Sequence, residues 1–373
     1  MEDWNMARTK RKQQERYAYE PDFAVPPGRT LQETIDALEM DQRELAKRTG
    51  LSVKHVNQVI KGVASITQDT AIRLERVTGV PARMWNSLEA NYRERLARLD
   101  ERSRLQGSLD WLKTIPVKEL LQRGKIREQS EPLSLLEEVL RFFGVADVDA
   151  WKEGWEKPQF AFRKSPTFQG QTGAMATWLR LCELDAAAVR CKPFSRARFQ
   201  AALREIRSLT EAEPAEFVRA MQDQCAEAGA AVVLVPEIKG APVSGAAEWL
   251  SPRKAMIGLN LRGKSNDRFW FSFFHEAGHL LLDSKKETYI DVDSANDPRE
   301  QQANQFAANT LIPPARAAEL TNLRSTADVQ SFARSIGIAP GIVVGRLQHD
   351  GIIGFNQLNG LKTWLSWSQE EPA

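Results

Sequence analysis

Apolar residues recur at helical spacing along most of this chain, and polar positions separate the repeats into short amphipathic segments. Thr30 to Leu38 reads as one amphipathic helix. Between Asp41 and Gly62 the pattern predicts two short helices around a Thr-Gly-Leu turn. Leu45 and Ala46 face inward on the first and Val53, Val56 and Ile60 on the second, with Gly50 supplying the turn. Thr67 begins a further capped helix that ends near Gly79. Residues 98–225 carry helical patterns at Leu109 to Leu121, Leu133 to Phe143, Ala174 to Arg190, Phe194 to Ser208 and Pro214 to Gly229. Toward the C-terminus, Phe271 to Leu282 is an apolar helix. Ala303, Phe306, Ala307 and Leu311 mark another, and a third ends at His349.

Composition adds bounds. At 373 residues the chain predicts two or three domains. Its 42% hydrophobic and 27% charged residues are those of a globular protein, and a net charge of +2 leaves any nucleic-acid affinity to local patches. No apolar run has the length of a membrane span and the first residues lack a signal-peptide pattern, so the expectation is a cytoplasmic protein without a membrane partner. Cys182, Cys191 and Cys225 have no metal-ligand spacing and read as buried or free thiols.

The apolar helix at Phe271 to Leu282 is interrupted by His-Glu-Ala-Gly-His. Four residues apart on a helix, His275 and His279 share one face and can reach one metal ion, while Glu276, one position round, can approach a water on that ion. A catalytic zinc keeps three protein ligands and an open position. Glu300, at the start of the next helix, is the candidate third ligand, giving one zinc per chain held by His275, His279 and Glu300, with Glu276 as general base. Asn304, one turn beyond Glu300, reads either as a partner for a ligand or as an ordinary helix side chain. For His349 the two readings are a capping or surface residue and a donor to the oxyanion of a tetrahedral intermediate.

In the N-terminal part the paired short helices form a helix-turn-helix pattern, which implies double-stranded operator DNA as partner. Ser52 opens the second helix, and Ser52, Lys54, His55, Asn57 and Gln58 are its polar side chains available to base edges in the major groove. Arg43, Lys61 and the basic arm at Arg8 to Arg16 would contact phosphate. From Tyr17 to Gly28, prolines and a glycine argue for an extended strap. One recognition helix covers few bases, so a homodimer on a palindrome is expected. The aromatic and basic run from Trp151 to Pro166 suits inter-domain packing or, alternatively, stacking of single-stranded DNA as a signal.

Two family resemblances follow from these motifs. Phe273-Phe-His-Glu-Ala-Gly-His-Leu-Leu-Leu, then Glu300-x-x-Ala-Asn-x-Phe-Ala-x-x-x-Leu-Ile-Pro, resembles the signature of the ImmA/IrrE metallopeptidases. The runs from Gly229, Val243 and Ala255 are similar to the small sheet that precedes the active-site helix in that family. What this implies is a gluzincin-like zinc peptidase whose targets are helix-turn-helix repressors. Pro27 through Leu88 resembles the HigA-type branch of XRE repressors. The expected fold is therefore mainly α with a small β-sheet (α+β). Its parts would be a basic arm at 1–28, a five-helix helix-turn-helix domain at 29–97, a helical linker or sensor region at 98–225 and a zinc peptidase domain at 226–373.

The leading functional expectation is a DNA-binding regulator carrying a zinc endopeptidase that cleaves a repressor, a toxin or itself in response to a signal. A strand around Gly245 to Leu250 would hold the substrate backbone extended. The alternative is a HigA-like antitoxin or repressor whose peptidase fold is a sensor or binding surface. A third reading, zinc acting on phosphate, meets the difficulty that a lone His2Glu site lacks the paired metals typical of nucleases.

Overall fold

The computed structural model describes residues 23–156, 172–282, 289–290 and 297–367. The basic arm and most of the aromatic run, from residue 157 on, lie outside the described residues. The chain forms two compact units divided between Gly107 and Ser108.

The first unit is five helices: α1 (Pro27–Ala37), α2 (Gln42–Thr49), α3 (Val53–Ile60), α4 (Gln68–Thr78) and α5 (Ala82–Gln106). Side-chain oxygens start three of them, since Asp41 accepts from Glu44 N–H, Ser52 from His55 N–H and Thr67 from Thr70 N–H. Gly50, at φ 72°, ends α2 in the left-handed conformation that the sharp turn requires. Leu31, Ile35, Leu45, Val56, Val59, Leu74 and Trp85 fill the core.

Three details differ from the sequence reading. The helix expected at Thr30 begins at Pro27, so the end of the strap is helical; Pro27 occupies the first turn, where its missing N–H loses no bond. On α3 the buried pair is Val56 and Val59, whereas Val53 is 47% exposed and Ile60 only half-buried. At about 100° per residue the inward direction falls between Val56 and Val59, leaving Val53 about 90° off it. Finally, α5 continues past residue 97 to Gln106.

In the second unit a 3₁₀ turn (Leu109–Thr114) precedes α6 (Val117–Gln122), and Pro116 is what splits the single helix expected there. Next come α7 (Pro132–Phe143), α8 (Val148–Trp151), α9 (Thr172–Ala188), α10 (Arg196–Ser208) and α11 (Pro214–Ala228). Trp151 is buried among Trp111 and Phe143, with edge-to-face ring centroids 5.2 and 5.7 Å apart, and Trp155 stands 5.4 Å from Phe143. Packing is thus the role the fold gives Trp151, and its ring is not presented for base stacking. The middle helices share the second unit with the sheet.

That sheet has the order β1-β3-β2-β4, from β1 (Ala230–Leu234), β2 (Gly245–Ser251), β3 (Lys254–Leu259) and β4 (Tyr289–Ile290). β1 and β3 are parallel, and the other pairs are antiparallel. Against it lies α12 (Asn266–Leu282), nearly every residue of which is buried, as an apolar helix enclosed on all sides must be. Trp270, Phe273, Phe274 and Ala277 join the sheet residues Val232, Ala247 and Ile257 in one core. α13 (Pro298–Leu311), α14 (Pro314–Ala317), α15 (Thr326–Ile336) and α16 (Pro340–His349) complete the unit.

The C-terminal segment docks on the start of α12. Trp364 bridges Ser265 and Thr363 O accepts from Asn266 N–H at 2.9 Å. Lys362 Nζ lies 2.8 Å from both Asp267 Oδ2 and Gln348 Oε1. Among the described residues no helix is long and apolar enough to cross a membrane.

Candidate metal centre

His275 and His279 lie one turn apart on α12, and Glu300 lies in the first turn of α13. The helices cross closely because of what Gly278 lacks. A Cβ there would meet Phe306 Cδ1 at 3.2 Å and Ala303 Cα at 3.3 Å, so a glycine on one helix and an alanine on the other bring Glu300 within reach of both imidazoles.

The three ligand groups converge. His275 Nε2 is 3.2 Å from Glu300 Oε2, His279 Nε2 is 3.5 Å from Glu300 Oε1, and the two Nε2 atoms are 3.0 Å apart. Zinc bonds of about 2.0–2.2 Å in tetrahedral geometry separate ligand atoms by roughly 3.3–3.5 Å, so the donor set fits such an ion in type and comes within about 0.3 Å of its spacing. Asn304 Oδ1 faces His275 Nδ1, at 2.9 Å. An acceptor there requires the proton on Nδ1 and leaves the Nε2 lone pair turned toward His279 and Glu300. Asn304 is therefore the hydrogen-bond partner of a candidate ligand.

Burial pushes the Glu300 carboxyl up, but hydrogen bonds from His275 and His279 and the charge of those imidazoles more than offset it, lowering it to about 2. The site thus keeps an ionised carboxylate at any ordinary pH. Glu276 is fully buried beside the trio, and Gly245 at the head of β2 packs against its carboxylate. This glycine contact was missed in the sequence, where Gly245 entered only as part of a strand.

His349 falls elsewhere. It ends α16 with its ring 84% exposed and its Nδ1 3.2 Å from Asp350 Oδ1. A donor to an oxyanion must face the buried reacting atoms, and an outward-facing ring at a helix end does not. Within the strand expected to hold a substrate, Gly245 to Leu250, Ala246 and Ala247 are paired on both edges, to β3 and to β4, and have no free side for a substrate strand.

In the first unit, Arg43, Ser52, Lys54 and Lys61 are exposed and His55, Asn57 and Gln58 half-buried. Ser52 Oγ caps α3 by accepting from His55 N–H at 3.1 Å. Asn57 Nδ2 donates to Gln42 Oε1 at 3.2 Å, and Gln42 Nε2 donates to Gln32 Oε1 at 3.1 Å, an amide relay across α3, α2 and α1.

Comparison with known proteins agrees with both units. Residues 222–348 match the IrrE N-terminal-like domain (Peptidase_M78), and residues 31–85 match the helix-turn-helix domain HTH_3. The chain is 31% identical to virulence-associated protein I of Dichelobacter nodosus over 81 residues, which is 21% of this chain and 75% of that protein. It is 32% identical over 63 residues to the uncharacterized HTH-type transcriptional regulator YddM of Escherichia coli K12, covering 17% of this chain and 67% of that one. Among solved structures, an addiction module antidote protein of a HigA family from Coxiella burnetii matches 22% of this chain and 92% of its own at 28% identity, with a TM-score of 0.21. By these matches the chain carries an IrrE N-terminal-like (Peptidase_M78) domain at residues 222–348 and a helix-turn-helix domain at residues 31–85.

Proposed function

We propose that this protein is a DNA-binding regulator whose second unit is a zinc-dependent endopeptidase acting on a protein substrate, either a helix-turn-helix repressor, a toxin or this chain itself. The convergence of His275, His279 and Glu300 beside the buried Glu276 is the observation that carries the reading. His275 Nε2, His279 Nε2 and Glu300 would hold the zinc. Bound there, zinc would supply a Lewis acid that polarises a carbonyl and lowers the pKa of water.

The chain's own residues do the rest. Asn304 holds the His275 ring in the tautomer that turns Nε2 inward. Glu276, enclosed away from solvent, takes the proton of the attacking water and delivers it to the leaving amine. In the first unit, the exposed Lys54 on α3 and the exposed Arg43 and Lys61 beside it suit base edges and phosphates of operator DNA, respectively. A homodimer on a palindromic operator follows from the short reach of one recognition helix.

The test uses zinc-loaded full-length protein, candidate repressors and toxins as substrates, and Glu276→Gln as the comparison. Cleavage that disappears in Glu276→Gln while zinc is retained supports the endopeptidase. Equal cleavage in both, or none in either, rejects it; intact operator binding in the second case would leave a repressor whose peptidase fold serves as a sensor or binding surface.

A further inference from the structure

The carboxylate of Glu276 has its position set from the sheet side. A Cβ on Gly245 would lie 2.6 Å from Glu276 Oε1, 2.8 Å from its Cγ and 3.0 Å from its Cδ. All three clashes are with one side chain, and they involve its stem as well as its oxygen, so a small rotation of the carboxylate does not relieve them. Glu276 has no exposed surface, which leaves a displaced side chain no solvent to swing into.

Nor can the backbone at Gly245 retreat. Gly245 pairs with Leu259 in the β2–β3 ladder. The two residues before it are held by Asn260, a side chain only 4% exposed. Asn260 Nδ2 donates to Val243 O at 2.8 Å, Asn260 N–H donates to Ser244 O at 3.2 Å, and Asn260 Oδ1 accepts from Arg262 N–H at 2.8 Å. Such a buried residue, with its side-chain donor and acceptor both used, ties two successive backbone positions, Val243 and Ser244, to the Arg262 backbone in one rigid bracket.

We propose that Gly245 is a positioning residue for Glu276: the bare backbone at the head of β2 is the wall against which the catalytic carboxylate is aimed, and Asn260 secures that wall. The inference rests on the zinc-peptidase reading for its effect on turnover, but the contact itself does not depend on it. A misplacement of the base by an added methyl is expected to lower kcat by about 100-fold, because proton transfer is misaligned.

A variant cycle on the zinc-loaded full-length protein decides it. Gly245→Ala should retain one zinc per chain, lower the zinc-dependent thermal unfolding midpoint by a few degrees, and lower kcat as stated. In a Glu276→Ala background the side chain that collides is gone, and Gly245→Ala should leave the midpoint unchanged. Asn260→Ala, which frees the bracket without adding atoms, should lower kcat while zinc stays bound. The proposal is overturned if Gly245→Ala costs as much stability in the Glu276→Ala background as in the parent, or if kcat of Gly245→Ala equals that of the parent. Should the parent show no Glu276-dependent cleavage at all, the peptidase reading fails, and the unfolding cycle still decides whether Gly245 holds Glu276.

Discussion

Asn304 Oδ1 stands 2.9 Å from His275 Nδ1, one helix turn beyond Glu300 on the same helix, so α13 supplies both a carboxylate for the metal position and the residue that orients a ligand on α12. Removing the acceptor frees the imidazole to rotate and to change tautomer. Asn304→Ala is expected to weaken zinc binding by about 10- to 100-fold without unfolding the protein. Competition with a chromophoric chelator measures it. Affinity equal to the parent would show that the ring is held by packing alone.

Zinc stoichiometry is the more basic expectation. The trio offers one set of converging donors, so metal analysis should return one zinc per chain and His279→Ala should return almost none. Gly278→Ala provides a subtler check. Ala303 Cα is backbone and cannot give way to a new methyl at 3.3 Å, so α12 and α13 must part slightly and zinc affinity should fall although no ligand has changed.

Acid should act on the metal-free protein through Glu300, whose carboxyl is raised by burial but lowered further by hydrogen bonds from His275 and His279, to about 2. A carboxyl depressed on folding contributes stability that is complete above its unfolded value of 4.5 and is lost as pH falls toward about 2. Acid unfolding of the metal-free protein that is flat between pH 5 and about 2 would contradict that carboxyl shift.

The metal trio was legible in the sequence because its chemistry is local. Four-residue spacing puts His275 and His279 on one helix face whatever surrounds them, and an acidic residue opening the following helix was a candidate third ligand. The helix-turn-helix was legible for a related reason, its helices being short, capped and separated by Gly50. Contacts made across the fold were not. Nothing near Gly245 in sequence indicates that Glu276 will pack on it, since the two meet only once β2 lies over α12. His349 failed in the opposite direction, as histidine at a helix end carries no information about which way the ring points. On α3, the helix phase was set by the three-residue step from Val56 to Val59, which the sequence pattern allowed but did not favour over Val53.

Ser52 and Lys54 are neighbours at the start of α3, and the structure separates their roles. Ser52 Oγ is engaged as the helix cap, 3.1 Å from His55 N–H, so its first duty is to the fold. Lys54 is exposed and starts no helix. Ser52→Ala is expected to destabilise the first unit by about 1 kcal/mol, the usual cost of a lost cap, and to weaken DNA binding only as far as α3 frays. Lys54→Ala should leave the unfolding midpoint unchanged while weakening binding to operator DNA. If Lys54 reads a base, that loss should be larger on the operator than on unrelated duplex; if it meets phosphate, the loss should be equal on both and the salt dependence should become shallower. Gel shifts at two salt concentrations, paired with thermal unfolding of each variant, distinguish the cases. A Ser52→Ala protein as stable as the parent but unable to bind would show that the hydroxyl reads DNA in place of capping the helix.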